Sequence, residues 1–522
     1  MDIVRSYFRD IFLTIRTVVG TLFVLNKGFE DVSKRINSDP GLPIPNPTAS
    51  FWQEDPLYPE LVNIKSDELP DTADVVIIGS GITGASIART LLRECEATCK
   101  VVMLEARQVC SGATGRNGGH IKTSPYNEFR ELKEKFGLER ARAIVKFRIK
   151  HVEVLTGLAK AEGINAECRE VETVDLFFHH DVFERNEEVV RELAIDMPDI
   201  AARVRTWDVA EARKNFSVGD HVVGAISYPA GAIWPYRFVT SILRSLLSSY
   251  PFNFSIEANT PVTSISTNQD QDRPFTVLTD RGNIKTTHVI HATNAHAPHL
   301  VSGIRGKLFG MRGQMSAQRP GKSFPRLGGS RSWSLIYREG YDYITQRPGD
   351  DGEVMAGGGW AQSGNRGLDE IGIWSDDATN FLAGSHLSGI LPMAFGPKHW
   401  GEDGEGGRLK SMWTGSIGIT ADALPFVGRL DASLTGRRPP LRTRATRAAV
   451  APAEWICAGY RGEGMVNAWL CGVALAVMVQ GREDVDAEEQ PGRPAGPLFD
   501  WFPREMLISP GRLRRANVKR VG

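Results

Sequence analysis

Gly79, Gly81 and Gly84 stand in G-x-G-x-x-G spacing directly after the apolar run Val75-Val76-Ile77-Ile78. Glycine at these places permits a tight turn, close approach of a pyrophosphate, and close packing of helix on strand. The chemistry implied is anion binding. Backbone N–H groups of the loop, which includes Ile82 and Thr83, face the phosphates with a helix dipole behind them. A second apolar run, Val101 to Leu104, ends in Glu105, about 20 residues beyond Gly84, where a carboxylate accepts hydrogen bonds from a ribose diol. That charge would repel a 2′-phosphate, which disfavours NADP. A bare glycine motif arises readily by chance in a chain with 53 glycines. Strand, loop, helix, strand and acid in that order do not.

A second glycine-rich stretch follows at once. Ala106 and Arg107 lead to Ser111-Gly112-Ala113-Thr114-Gly115-Arg116-Asn117-Gly118-Gly119-His120. A NAD site needs one phosphate loop and a nicotinamide pocket. A further run of small residues lets the backbone lie against a larger planar cofactor, with Arg116 and Asn117 as donors. The segment "GATGRNGG" resembles the "GASGRNGG" of the D-amino-acid oxidase-like family of FAD-dependent amine and amino-acid oxidoreductases. The resemblance implies FAD. It also implies an α/β fold, in which a Rossmann-like FAD-binding domain is interleaved with an antiparallel-sheet substrate domain.

The elements that must position these loops run along the whole chain. The expected organisation is an N-terminal helix and proline-rich connector over 1–72, then FAD-binding segments at 73–125, 221–304 and 411–485. Substrate-domain segments fill 126–220 and 305–410, and a tail closes the chain over 486–522. Val262 to Thr267, Phe275 to Leu278 and Ile284 to Thr287 read as a meander feeding the apolar strand Val289 to Ala292. Its end, Ala292-Thr293-Asn294, resembles the family's "ATG", with Asn tolerating a left-handed backbone more readily than most residues. Val262, Ala292, Thr293 and Asn294 are therefore expected at the cofactor. Aromatic segments "SWSLIYR" and "YDYITQR", and then "EVMAGGG", read as an antiparallel wall.

Two later segments extend the resemblance, which spans roughly 73–480 and is weak over 126–220. In "WTGSIGITADALPFVG", Thr420, Asp422 and Pro425 match a motif that lies close to the flavin in relatives. In "WICAGYRGEGMVNAWLCGVALAVMV", Gly459, Gly462, Gly464 and Met465 match a strand–loop–helix at the flavin's pyrimidine edge. The implied reaction is hydride removal from the carbon bearing an amine, giving an imine. Such a reaction needs no obligatory protein base if the amine arrives neutral. In the amino-acid branch an arginine fork clamps the substrate carboxylate. Arg461, beside Tyr460, is the first candidate, and Arg347, following Tyr341 and Tyr343, is the second. No cysteine lies between Gly415 and Ile419, so FAD is expected to be non-covalent. Oxygen is the expected acceptor, but Met355 stands where one branch has an oxygen-activating lysine, which favours the alternative, a dehydrogenase with another acceptor. A non-catalytic adaptor built on the same fold is the rival from another class.

Composition adds limits. Sixty-two basic and 62 acidic residues give no net field to recruit nucleic acid. Six scattered cysteines form no C-x-x-C, which suits a reducing compartment and a cytoplasmic location. Arg5, Arg9 and Arg16 argue for a mitochondrial presequence, and Asp2 and Asp10 argue against one. Ile11 to Leu25 is too short and too interrupted for a membrane span, which leaves membrane contact by the N-terminal helix as a lesser alternative. His288, His291, His296 and His299 reflect strand alternation rather than a metal site.

Overall fold

The strand Thr72–Ile78 is buried along Val75 to Ile78, as its unbroken apolar run requires for a strand covered on both faces. It pairs in parallel with Val101–Leu104 on one side and Gly282–His291 on the other, so Val76 sits between Val102 and Val289. The structure, a computed structural model, describes residues 27–94, 99–349, 351–440 and 450–516. The Ile11 to Leu25 segment, Cys95, most of the arginine-rich stretch after Thr435 and the final residues lie outside them.

The first sheet has eight strands. Its order runs Phe426–Arg429, Ala453–Ala458, Gly282–His291, Thr72–Ile78, Val101–Leu104, Phe254–Glu257, and the pair Val262–Thr267 and Phe275–Thr279 attaches to Gly282–His291. Two helices cover it where the glycine loops emerge. Helix Ala468–Gln480 is apolar all round and wholly buried from Ala468 to Val479. It packs on helix Ile82–Glu94 through Gly472, where an added Cβ would stand 2.8 Å from Ser86 Cβ. Ser86 Oγ donates to the Trp469 carbonyl at 2.6 Å and locks the pair.

The second sheet has nine strands and is mostly antiparallel. Its order is Leu409–Thr420, Leu308–Gln318, Val354–Gly358, Tyr341–Gln346, Arg331–Ile336, Arg169–Phe177, Gly224–Ala232, His120–Ile121, with Arg205–Trp207 beside Gly224–Ala232. Two of these strands depart from the sequence reading, which groups 221–304 and 411–485 with the FAD-binding segments. Gly224–Ala232 and Leu409–Thr420 both pair within this sheet instead. Alternation identifies a strand but is silent on its neighbour, and the neighbour decides the domain.

Register arranges this sheet's inner face. Met315 pairs with Gly357, Gly357 with Tyr343, Tyr343 with Ser334, and Ser334 with Asp175. Directly opposed residues share a face, so these five form one row. An added Cβ at Gly357 would press on Tyr343 and Met315, which is why that place holds glycine.

Candidate active site

The first glycine loop is shaped by contacts that leave no room for side chains. Gly79 has φ +111°, and a Cβ there would sit 2.7 Å from the Ala292 carbonyl oxygen. A Cβ on Gly84 would overlap the Gly79 carbonyl oxygen. The second loop closes on the first. Thr114 Oγ1 accepts from Ile82 N at 3.0 Å, and a Cβ at Gly81 would lie 2.9 Å from the same hydroxyl. Glu105 is held beside them: its Oε2 accepts from Ser80 N and Ser80 Oγ, and its Oε1 from Arg107 N.

Apart from Gly84, these residues wall one cavity. Gly79, Gly81, Ile82 and Thr83 line it with Glu105, Ala106 and Arg107, as do Thr114, Arg116 and Asn117 of the second loop. Val262, Ala292, Thr293 and Asn294 enter from the meander, and Gly462, Gly464 and Met465 from the late loop. Tyr343 and Tyr460 contribute rings. Asn294 has φ +45°, the left-handed backbone read from its sequence, and its Oδ1 accepts from Gly459 N at 2.9 Å. Sequence reasoning missed other lining residues, among them Ser416, Ile417, Asp376 and the connector residues Gly41, Leu42 and Pro43. Asp376 carries no local signal, since its partners Arg107 and Arg116 are over 250 positions away.

Other expected contacts lie behind the wall. Gly84, Ser111, Gly115, Gly118, Gly119 and Gly459 do not line the cavity, and the glycines among them answer to packing. Gly118 lies under the Tyr343 ring, Gly119 (φ +66°) against the Ile233 carbonyl, and Gly459 against Thr420 Cγ2. His120 is half-buried in the second sheet, 2.9 Å from Ser332 Oγ, and desolvation, with Lys122 and Arg169 nearby, holds it well below the usual imidazole range. Asp422, expected at the cofactor, is not among the residues that line the cavity. Arg512 takes both its oxygens, at 2.6 and 2.9 Å, and so ties the C-terminal segment to the 420–425 turn.

The candidate catalytic residues separate. Arg347 is corrected to a structural role: it pairs with Glu167 at 2.7 Å and Glu353 at 2.6 Å, and stacks on Trp234 at 4.5 Å. Unlike Tyr343, Arg347 does not line the cavity. The Tyr460 hydroxyl lies 2.8 Å from Thr83 Oγ1 and donates to Cys457 O, so only its ring is offered to the cavity. Arg461 stands in the left-handed region (φ +54°), where its N–H donates to Gly418 O, and the residue is exposed.

Charge gathers beyond Tyr343. Asp175, at the end of the inward row, accepts from Lys122 Nζ at 2.5 Å, Tyr126 at 2.6 Å and Tyr228 at 2.8 Å. Arg148 lies between Glu128 (2.6 Å) and Glu463 (2.8 Å). Burial and the neighbouring Glu128 push Glu463 up to about 8 against the pull of Arg148, whereas Arg148 and Thr123 hold Glu128 down although burial pushes it up. The folded protein therefore keeps a proton on Glu463 that the unfolded chain releases near 4.5. Stability contributed by that proton is complete below the lower value and falls as pH rises towards the upper one. Glu463→Gln should accordingly melt above the parent at about pH 8.5 and level with it at about pH 5. Calorimetry at the two values checks this, and an equal gap at both would contradict it.

The four histidines do not converge. His291 meets Glu454 at 3.0 Å, His299 meets Asp39 at 2.9 Å, and His296 sits 3.1 Å from Gly41 O. The two carboxylates come from distant positions that local reading could not supply. Among the described residues no three metal-ligating side chains come together.

Whether the cavity suits FAD can be judged from its unpartnered atoms. Thr293 Oγ1 and Ser416 Oγ are buried in its wall without a protein hydrogen-bond partner. Two glycine loops, two helix starts and a ribose-facing carboxylate complete a donor and acceptor set that fits a dinucleotide carrying a large ring system.

Comparison with known proteins agrees with that geometry. Residues 74–478 match the family model described as "DAO: FAD dependent oxidoreductase". The chain is similar to gamma-glutamylputrescine oxidoreductase of Escherichia coli (strain K12), at 23% identity over 425 residues, which is 78% of this chain and 84% of that one. Among solved structures it resembles glycine oxidase from Geobacillus kaustophilus, with TM-score 0.57 and 16% identity, covering 79% of this chain and 96% of that one. It also resembles L-proline dehydrogenase from P. horikoshii, with TM-score 0.59 and 20% identity, covering 86% of this chain and all of that one. The glycine loops, the paired sheets and a match over most of the chain place it in the DAO family of FAD-dependent oxidoreductases.

Proposed function

We propose that the chain oxidises the C–N bond of a small amine or amino acid to an imine, with oxygen as the electron acceptor. FAD, when bound, supplies the hydride acceptor. The chain's residues bind and orient the amine and keep water away. The observation that carries this reading is the inward row of the second sheet. Met315, Gly357 and Tyr343 give an apolar stretch, with Tyr343 donating to Met315 Sδ at 3.0 Å. Ser334 and Asp175, both contacting Lys122 Nζ, give a polar continuation of the same face. Such a row suits a molecule with an apolar carbon beside a charged group.

Arg461 is assigned to the substrate carboxylate, if the substrate has one. Its backbone is fixed by the bond to Gly418 O, in the same loop as the cavity residues Gly462 and Gly464. Lysine would keep the charge and lose the bidentate fork. Arg461→Lys should raise KM about tenfold for a carboxylated amine, the equivalent of one charge-assisted hydrogen bond. A plain amine should be nearly unaffected. Steady-state kinetics on a matched pair of substrates tests this. Equal slowing of both, with a lower reduction potential, would reassign Arg461 to the cofactor.

A dehydrogenase passing electrons to another acceptor is the second reading. It is favoured by Met355, a buried thioether where an oxygen-using branch carries lysine, and by the absence of lysine from the cavity lining among the described residues. Hydrogen peroxide formed in step with amine consumption supports oxygen as acceptor. Turnover in air without peroxide supports the second reading.

A further inference from the structure

The family domain begins at residue 74, yet the cavity wall includes Gly41, Leu42 and Pro43. These belong to the proline-rich connector, which by composition alone is a spacer. Its contacts give it another role. We propose that residues 39–54 are part of the FAD-binding site, forming an N-terminal strap that covers the adenosine end and slows release of the dinucleotide.

The strap is fastened to both sides of the cavity. On the dinucleotide side, Asp39 binds His299 at 2.9 Å and Arg305 at 2.6 Å. Gly41 O meets His296, and Ile44 O accepts from Arg107 Nη1 at 3.2 Å. On the opposite side, Thr48 N donates to Asp376 O at 2.7 Å, and Thr48 Oγ1 accepts from Thr414 N and from Arg116. Ser50 Oγ and Gln53 Nε2 then bond the Gly115 carbonyl, and Phe51 and Trp52 are buried in the main core. Every turn of the second glycine loop from Gly115 to Asn117 is thus held by this segment.

The position of the strap identifies what it covers. His299 and Leu300 belong to the helix Ala297–Leu300, which packs on strand Val262–Thr267. Arg107 follows Glu105 by two residues. Residues 41–43 therefore stand at the end of the cavity that holds the ribose-facing acid and Val262, away from Tyr343 and the substrate sheet. Pro40, Pro43, Pro45 and Pro47 pre-set the extended backbone, so little conformational entropy is lost on ordering it. A pre-ordered cover acts chiefly on the rate at which a ligand leaves.

The test uses the full-length yellow protein. Its FAD release is followed as the rise of free-FAD fluorescence after dilution, for the parent and for the double variant Leu42→Gly/Pro43→Gly. The strap predicts release about tenfold faster in the variant, with the apoprotein melting close to the parent. Release at the parental rate from a folded variant would overturn the proposal. Hydrogen exchange on the unaltered chain gives a second reading that needs no variant. FAD should slow exchange of the Gly41, Leu42, Ile44 and Asn46 amides, and identical exchange with and without FAD would also overturn it.

Discussion

Gly84→Ala is expected to give a protein that purifies without yellow colour and melts well below the parent. An added Cβ would overlap the Gly79 carbonyl oxygen, and both are backbone positions with no flexible side chain to yield. Either helix Ile82–Glu94 moves off the sheet or the loop at Gly79 opens. Both responses displace the N–H groups that face the phosphates. Overpacking of this kind costs about 1–3 kcal/mol, occasionally more. The matching control is Gly157→Ala, inside helix Leu138–Ala161, where an added Cβ meets nothing within 4 Å. That change should stabilise by about 0.5–1 kcal/mol and leave FAD in place. Differential scanning calorimetry and the flavin-to-protein ratio read both variants. A Gly84→Ala protein with full FAD would contradict the assignment of this loop.

Glu105→Ala should weaken FAD binding by roughly 10²–10⁴-fold, from two charge-assisted ribose hydrogen bonds of about 1.5–3 kcal/mol each. The carboxylate also orders the site before the cofactor arrives, because it takes three donors from Ser80 and Arg107. Glu105→Gln keeps an acceptor and should lose distinctly less than Ala. Titration of apoprotein with FAD, followed by fluorescence quenching, gives the three affinities. Equal affinity in parent and alanine variant would show that the ribose lies elsewhere.

How far the sequence reached depends on the range of each interaction. The strands Thr72–Ile78 and Val101–Leu104 were legible because burial on both faces leaves an unbroken apolar run. The two glycine loops were legible because backbone crowding excludes side chains at fixed local spacing, as at Gly84 and Gly119. Interactions between distant segments left no such mark. Arg347 reads as a residue of the substrate wall until Glu167, 180 positions away, is brought to it. Asp422 reads as a cofactor residue until Arg512 arrives from the C-terminal segment. The 39–54 connector is extended and proline-rich in either role, and only its partners Arg116, Asp376 and His299 distinguish strap from spacer. Gly224–Ala232 has the period of a strand, but nothing within it selects the sheet it joins.

The proposed reaction is transfer of a hydride from an amine-bearing carbon of the substrate to bound FAD. Its most direct test is anaerobic: the yellow protein is mixed in turn with a panel of small primary and secondary amines and amino acids, and the visible flavin band is recorded. The expected result is bleaching by at least one member of the panel, with colour returning once an acceptor is admitted. Persistent colour under every amine and amino acid, in protein that dithionite still bleaches, would contradict it.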